Sequence, residues 1–248
     1  ALSGESVSTD VSEAVEGDTV TLTANLGGGR YVSLNASDVT VSPSTISTDG
    51  EMATFTMPAN DVTVSATFDF SYSVGDEGPA GGHIFYVDEA DNYDWTYMEV
   101  APYGWYDGGD DPCVVWDDVE DIFDLVAIEG DALLTGIGDG QSATTEIISY
   151  MKDNGKIDTA AQICDGFEYQ HDGIIYKDWF LPSQDELMKI GDNLYNLGNG
   201  PGKFSRDRYW SSSEWDRYNG TSLYRIDRDS GSMSTKTNTN CVRPIRSF

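Results

Sequence analysis

The sequence predicts an α+β chain in two parts: an all-β sandwich over residues 1–70 and an α+β domain over residues 71–248. Three observations carry this. Residues 1–69 alternate apolar and polar side chains in short runs. Residues 142–197 carry the helical period, with start and stop signals. After Gly202 that period disappears and aromatic, strand-like runs return. A length of 248 residues suits one or two domains.

In the first part the runs are TVTLTAN (19–25), ATFTMP (53–58) and VTVSATF (62–68), split by GGG at 27–29 and TDG at 48–50. Period two with Thr and Val predicts half-buried antiparallel strands. About five of them in under 70 residues make a small β-sandwich. The junction lies in FDFSYSVGD at 68–76, after which the chain becomes aromatic and Gly-rich.

The second part opens with strands near 83–88 and 95–102, the latter closed by Pro102. Three helices follow. The first, over 142–155, has Ser142 or Thr144 as N-cap and Gly155 as its stop. The second, over 158–166, has Asp158 as its cap. The third begins at Ser183, which forms a capping box with Glu186; Leu187, Ile190, Leu194 and Leu197 make its core face. RYWSSSEW, SLYRIDRD and NCVRPIRSF then read as strands.

The net charge is −29, from 43 acids and 14 bases. Such a field repels nucleic acid and anionic membranes. No apolar run is long enough to span a bilayer. The charge is uneven. The last 49 residues hold nine bases against five acids, a net of +4, so the first 199 carry −33. An asymmetry of this kind points to an interaction surface.

The segment EGDTVTLTAN…ATFTMPANDVTVSATF resembles the short immunoglobulin-like repeats of bacterial surface proteins, which implies a spacer. GDEGPAGGHIFYVD, EVAP, GIGDGQSATTEII, AAQICDGF, DWFLPSQDELMKI, RYWSSSEW and CVRPIRSF occur in that order. They resemble the C-terminal domain of bacterial collagen-like adhesins, a domain of unknown function. That family is similar to the C-type-lectin fold and, more distantly, to the formylglycine-generating enzyme core. The resemblance implies that DWFLPS…EL seats a helix of the fold and that YWSSS begins the strands facing it. Trp179, Leu181, Leu187 and Trp210 would then be scaffold.

The resemblance also bears on Cys113, Cys164 and Cys241. In C-type lectins a helix cysteine pairs with the last strand, which implies Cys164–Cys241. In the adhesin family the matching C-terminal cysteine falls at the Pro244 position, on the opposite strand face. This favours Cys113–Cys241, with Cys164 a buried thiol.

Catalytic patterns are thin. The two histidines, His83 in an apolar strand and His171 in a polar loop, form no pattern with Ser211, Ser212 and Ser213. Cys241 has no near-neighbour cysteine, which argues against formylglycine-type copper chemistry. GDEGPAGG and GIGDG lack the Lys-Ser/Thr of a phosphate loop and read as tight turns. No cofactor is required. The acids at Asp107, Asp110, Asp111, Asp117 and Asp118 suggest a structural calcium, although no EF-hand spacing is present.

The stretch 205–240 mixes Trp, Tyr, Arg, Ser and Asn, the palette of recognition surfaces. In C-type-lectin relatives this region carries ligand contacts. The expected anchors are Trp215, Arg217, Tyr218, Tyr224 and Arg228. The expectation is thus a non-enzymatic bacterial cell-surface adhesin whose lectin-like domain binds an extracellular glycan or protein. It is exported by a signal peptide upstream of Ala1, with a lipid anchor as one mode of attachment. The mature chain binds no nucleic acid and does not insert into the membrane. The alternatives are a surface-display protein without a specific ligand and an enzyme of the formylglycine-generating branch.

Overall fold

The computed structural model describes residues 6–26, 30–47, 50–70, 72–117, 134–194, 203–204, 208–214, 221–225 and 231–248. These residues are mostly β-sheet with three helices, an α+β composition. The chain divides into two units, residues 1–72 and 73–248.

The first unit holds strands β1 (Ser6–Thr9), β2 (Thr19–Asn25), β3 (Arg30–Ala36), β4 (Thr45–Ile46), β5 (Met52–Thr56) and β6 (Val64–Phe70). They form two antiparallel sheets, ordered β1-β2-β5 and β4-β3-β6. Alternation decides their faces. Val20, Leu22 and Ala24 of β2 and Ala53 and Phe55 of β5 turn inward while their neighbours face out. They share one apolar core with Val32, Leu34 and Ile46 of the second sheet.

The second unit begins with β7 (His83–Val87), β8 (Tyr97–Val100) and β9 (Cys113–Val115). Helix α1 (Asp139–Asp153), helix α2 (Ala160–Asp165), the hairpin strands β10 (Tyr169–His171) and β11 (Ile174–Tyr176), and helix α3 (Gln184–Asn193) follow. The chain ends with β12 (Arg208–Glu214), β13 (Thr221–Arg225), β14 (Gly231–Met233), β15 (Thr239–Cys241) and β16 (Ile245–Ser247). One sheet runs β14-β13-β12-β15-β9 and another β16-β8-β7. The last strand therefore pairs with one of the first, closing the unit on itself.

NCVRPIRSF divides into two strands in different sheets, not the single strand expected. Pro244 lies between them; it has no N–H to donate, and its carbonyl accepts from Ala101. His171 ends β10 and is not in a loop.

The helix starts show where local signals yield to tertiary ones. α3 starts as expected: Ser183 is the N-cap, Glu186 N–H donates to its Oγ (3.3 Å), and Ser183 N–H donates to Glu186 Oε2 (2.6 Å). Leu187, Ile190 and Leu194 are buried, and Leu197 lies outside the described residues. α1 starts earlier than Ser142 or Thr144, at Asp139, with Gly138 as N-cap at φ 91°. The free N–H groups of its first turn are met by a distant carboxylate: Gly138 N–H donates to Glu186 Oε1 (2.8 Å). α2 is capped by Thr159, not Asp158. Thr159 N–H and hydroxyl both donate to Gln162 Oε1 (3.2 and 3.0 Å). Asp158 is left outside the helix at φ 59°.

The DWFLPS and YWSSS segments interlock as scaffold. Ser212 N–H donates to the Pro182 carbonyl (2.8 Å), and Gln184 N–H donates to Ser213 Oγ (2.9 Å). Trp179, Leu181, Leu187 and Trp210 are all buried. No helix among the described residues is long and apolar enough to cross a membrane.

Candidate functional site

The positive C-terminal segment turns inward at its end. Lys236, Arg243 and Arg246 are buried and paired with Glu214, Asp111 and Glu99 respectively. Lys156 is likewise buried against Asp117. Three of the nine bases read as a surface patch are thus internal ion partners. Removing such a charge from water costs several kcal/mol, so each must have a partner of opposite sign.

Asp111 gathers donors from three side chains. It accepts from Arg243 Nε (2.8 Å) and Nη2 (2.7 Å), from Trp105 Nε1–H (2.8 Å) and from the Tyr209 hydroxyl. The Arg243 guanidinium also stacks on Phe204, 4.3 Å from the ring centre.

The two Gly-rich motifs wrap backbone around buried carboxylates. In GDEGPAGG, Ala80 N–H (3.1 Å) and Gly82 N–H (2.7 Å) donate to Glu99 Oε1. A Cβ on Gly82 would overlap the Val100 carbonyl. Burial raises the Glu99 carboxyl above its ordinary value, opposed by Arg246 and by these N–H groups. In GIGDG, the close approach is Gly140, where a Cβ would overlap Glu186 Oε2. Burial pushes the Glu186 carboxyl up to about 7, against the opposing N–H bonds from Ser183, Gly138 and Gly140. One carboxylate therefore serves the N-termini of two helices.

The expected ligand anchors are not brought together by described residues. Trp215, Arg217, Tyr218 and Arg228 lie outside them, and of Tyr224 only the backbone is described. That backbone is paired on both sides, opposite Tyr209 on β12 and Gly231 on the edge strand β14.

The acids proposed for calcium are dispersed over different contacts. Asp107 is exposed, Asp110 accepts from the Tyr103 hydroxyl (3.0 Å), Asp111 and Asp117 hold Arg243 and Lys156, and Asp118 lies outside the described residues. Among the described residues no group of three or more acids, histidines or cysteines is arranged to hold a metal.

Cys113 and Cys241 face each other across β9 and β15, their Cα atoms 3.8 Å apart, and form the disulfide. Cys164 is free and buried, and burial pushes its thiol well above the ordinary range. A thiol held protonated is a poor nucleophile. Ser211, Ser212 and Ser213 are buried within β12.

The described residues of the second unit also hold a cleft of about 310 Å³. Trp105, Tyr106 and Phe167 give it aromatic surface, and Asp158, Gln162 and Glu168 give it polar groups. Trp105 crosses Tyr106 at 62° (centroids 5.6 Å apart) and Phe167 at 75° (4.9 Å). The sequence reading missed these residues. Their sequence signal is YGWYDGG, adjacent aromatics between glycines, which merges with the acidic stretch beside it.

No protein-family model and no curated protein matches the chain.

Proposed function

We propose that the chain is a bacterial cell-surface recognition protein that binds an extracellular glycan or protein and performs no catalysis. In this reading residues 1–70 form an immunoglobulin-like spacer. Residues 71–248 form a C-type-lectin-like domain of the collagen-like-adhesin type. Ligand contacts come from Trp215, Arg217, Tyr218, Tyr224 and Arg228.

The observation that carries the reading is the bracing of β12 and its neighbours. β12 is buried from Tyr209 to Glu214, tied to the start of α3 through Ser212 and Ser213, and joined through Glu214 to Lys236. In sequence, residues 215–220 connect β12 to β13 and residues 226–230 connect β13 to β14. Binding residues on connecting segments gain affinity when the scaffold beneath them is rigid. The cysteine arrangement supports the same reading. Two of the chain's three cysteines are joined and the third is buried, which leaves no thiol pair for formylglycine-type chemistry. A disulfide also fits an oxidising, extracellular compartment.

The test is a glycan and protein array probed with the intact chain, followed by affinity measurement on the hit. Trp215→Ala and Tyr218→Ala are each expected to weaken binding at least tenfold, about 1.4 kcal/mol or more, with little change in melting temperature. Unchanged binding in both variants would place the contacts elsewhere. An array without any hit would favour a display protein that has no specific ligand.

A further inference from the structure

We propose that the cleft beside Trp105 binds an alkylammonium group, a cation carrying methyl or other alkyl substituents. The argument for it uses none of the C-terminal anchors.

The argument begins with how the sequence holds the rings. Trp105 is only 6 % exposed, and its Nε1–H is fixed on Asp111, itself clamped by Arg243. It is therefore a rigid floor. Tyr106, 42 % exposed, and Phe167, partly buried, cross it at steep angles. Rings set this way turn faces and edges in more than one direction, so a methylated cation can touch several at once. The negative face of each ring attracts a cation within about 6 Å of its centre.

The polar groups of the cleft decide the sign of the ligand. Gln162 is committed: its Oε1 accepts from Thr159, and its Nε2 donates to the Lys156 carbonyl (2.7 Å). Glu168 is paired with Lys177 at 2.7 Å. Asp158 differs. Thr159 has taken the helix cap from it, and among the described residues nothing meets its exposed carboxylate. The uncommitted charge at the cleft is thus negative, and among the described residues no base lines it. A ligand read by hydroxyl bonds would find Gln162 already occupied. A ligand with a positive centre meets Asp158 and the rings together.

Size and field agree with this. About 310 Å³ is at the lower end of small-molecule sites, suited to a head group more than to an extended chain. The net charge of −29 draws cations toward the surface and repels anions.

The experiment is a titration of the intact chain at physiological salt with choline and with 3,3-dimethylbutan-1-ol, its neutral isostere. It is followed by NMR on the Trp105 indole N–H. We expect a saturable shift with choline and binding of the isostere at least about tenfold weaker. Tyr106→Ala, which changes no charge, and Asp158→Asn should each weaken choline about fivefold or more without lowering the melting temperature, because both side chains are exposed. Trp215→Ala should leave choline binding unchanged, which keeps this result separate from the C-terminal reading. Phosphocholine and a trimethyl-lysine peptide, titrated in parallel, distinguish a lipid-type head group from a modified protein as the source. The proposal is overturned by non-saturable choline shifts, by equal binding of the isostere, or by undiminished binding in both cleft variants.

Discussion

In residues 1–72 the buried core is Val20, Leu22, Ala24, Val32, Leu34, Val41, Ile46, Ala53 and Phe55. Among the described residues of 73–248 the interior also holds four ion pairs, a disulfide and two carboxylates wrapped in backbone N–H groups. Among the described residues every buried polar or charged side chain belongs to the second unit. The first unit thus rests on apolar burial, which is non-directional and indifferent to pH. The second depends on partners far apart in sequence, 132 residues for Asp111–Arg243 and 147 for Glu99–Arg246. Loss of one partner there leaves a bare charge in the interior.

The largest test of this contrast is Arg243→Ala. It strips Asp111 of its counter-ion and is expected to destabilise the second unit by about 3–5 kcal/mol. Hydrogen exchange resolved by residue should show the loss confined to 73–248, where Asp111 and Phe204, the partners described for Arg243, lie. A loss under about 1 kcal/mol, or equal loss of protection in residues 1–72, would break the contrast.

Reduction of Cys113–Cys241 comes next. The bridge closes 128 residues of sequence, and its removal should cost about 3–4 kcal/mol. Chemical unfolding with and without reductant measures this, and residues 1–72, which contain no cysteine, provide the internal control.

The pH dependence is expected to be smaller. The Glu186 carboxyl stands at about 7 in the folded chain against an ordinary 4.5. Between those values the folded state keeps a proton that the unfolded state releases. The associated stability is complete below about 4.5 and is lost as pH rises through 7, a change of about 3 kcal/mol. Glu99, raised in the same direction, adds to the same slope. Urea midpoints from pH 4.5 to 8 should fall for the second unit, and Glu186→Gln should flatten much of that fall. A midpoint that rises over this range contradicts the assignment.

The smallest expected effect is Ser183→Ala. It removes the acceptor for Glu186 N–H and the hydroxyl that donates to the Gly136 carbonyl (2.7 Å), and should cost about 1 kcal/mol by thermal unfolding.

Much of the fold was legible because the signals are local. Period-two alternation located β2, β5 and β6 to within two residues at either end, and the Ser183–Glu186 interval located the start of α3. The start of α1 was not legible, because its first N–H groups are met by Glu186, 48 residues away in sequence. Asp158 read as the cap by its residue type alone; the cap is Thr159, which Gln162 completes as a capping box.

Charge was legible as composition and misleading as location. By itself the sequence determined that the C-terminal segment is basic and the rest acidic, since counting needs no coordinates. Only the tertiary structure decided that Lys236, Arg243 and Arg246 are turned inward onto acids from earlier in the chain. The same folding brought Trp105, Phe167 and Asp158 to one cleft across some sixty residues. The physical reason is common to both. Alternation and capping act between neighbours along the chain, whereas ion pairing and ring packing act between groups that become neighbours only when the sheets and helices have closed.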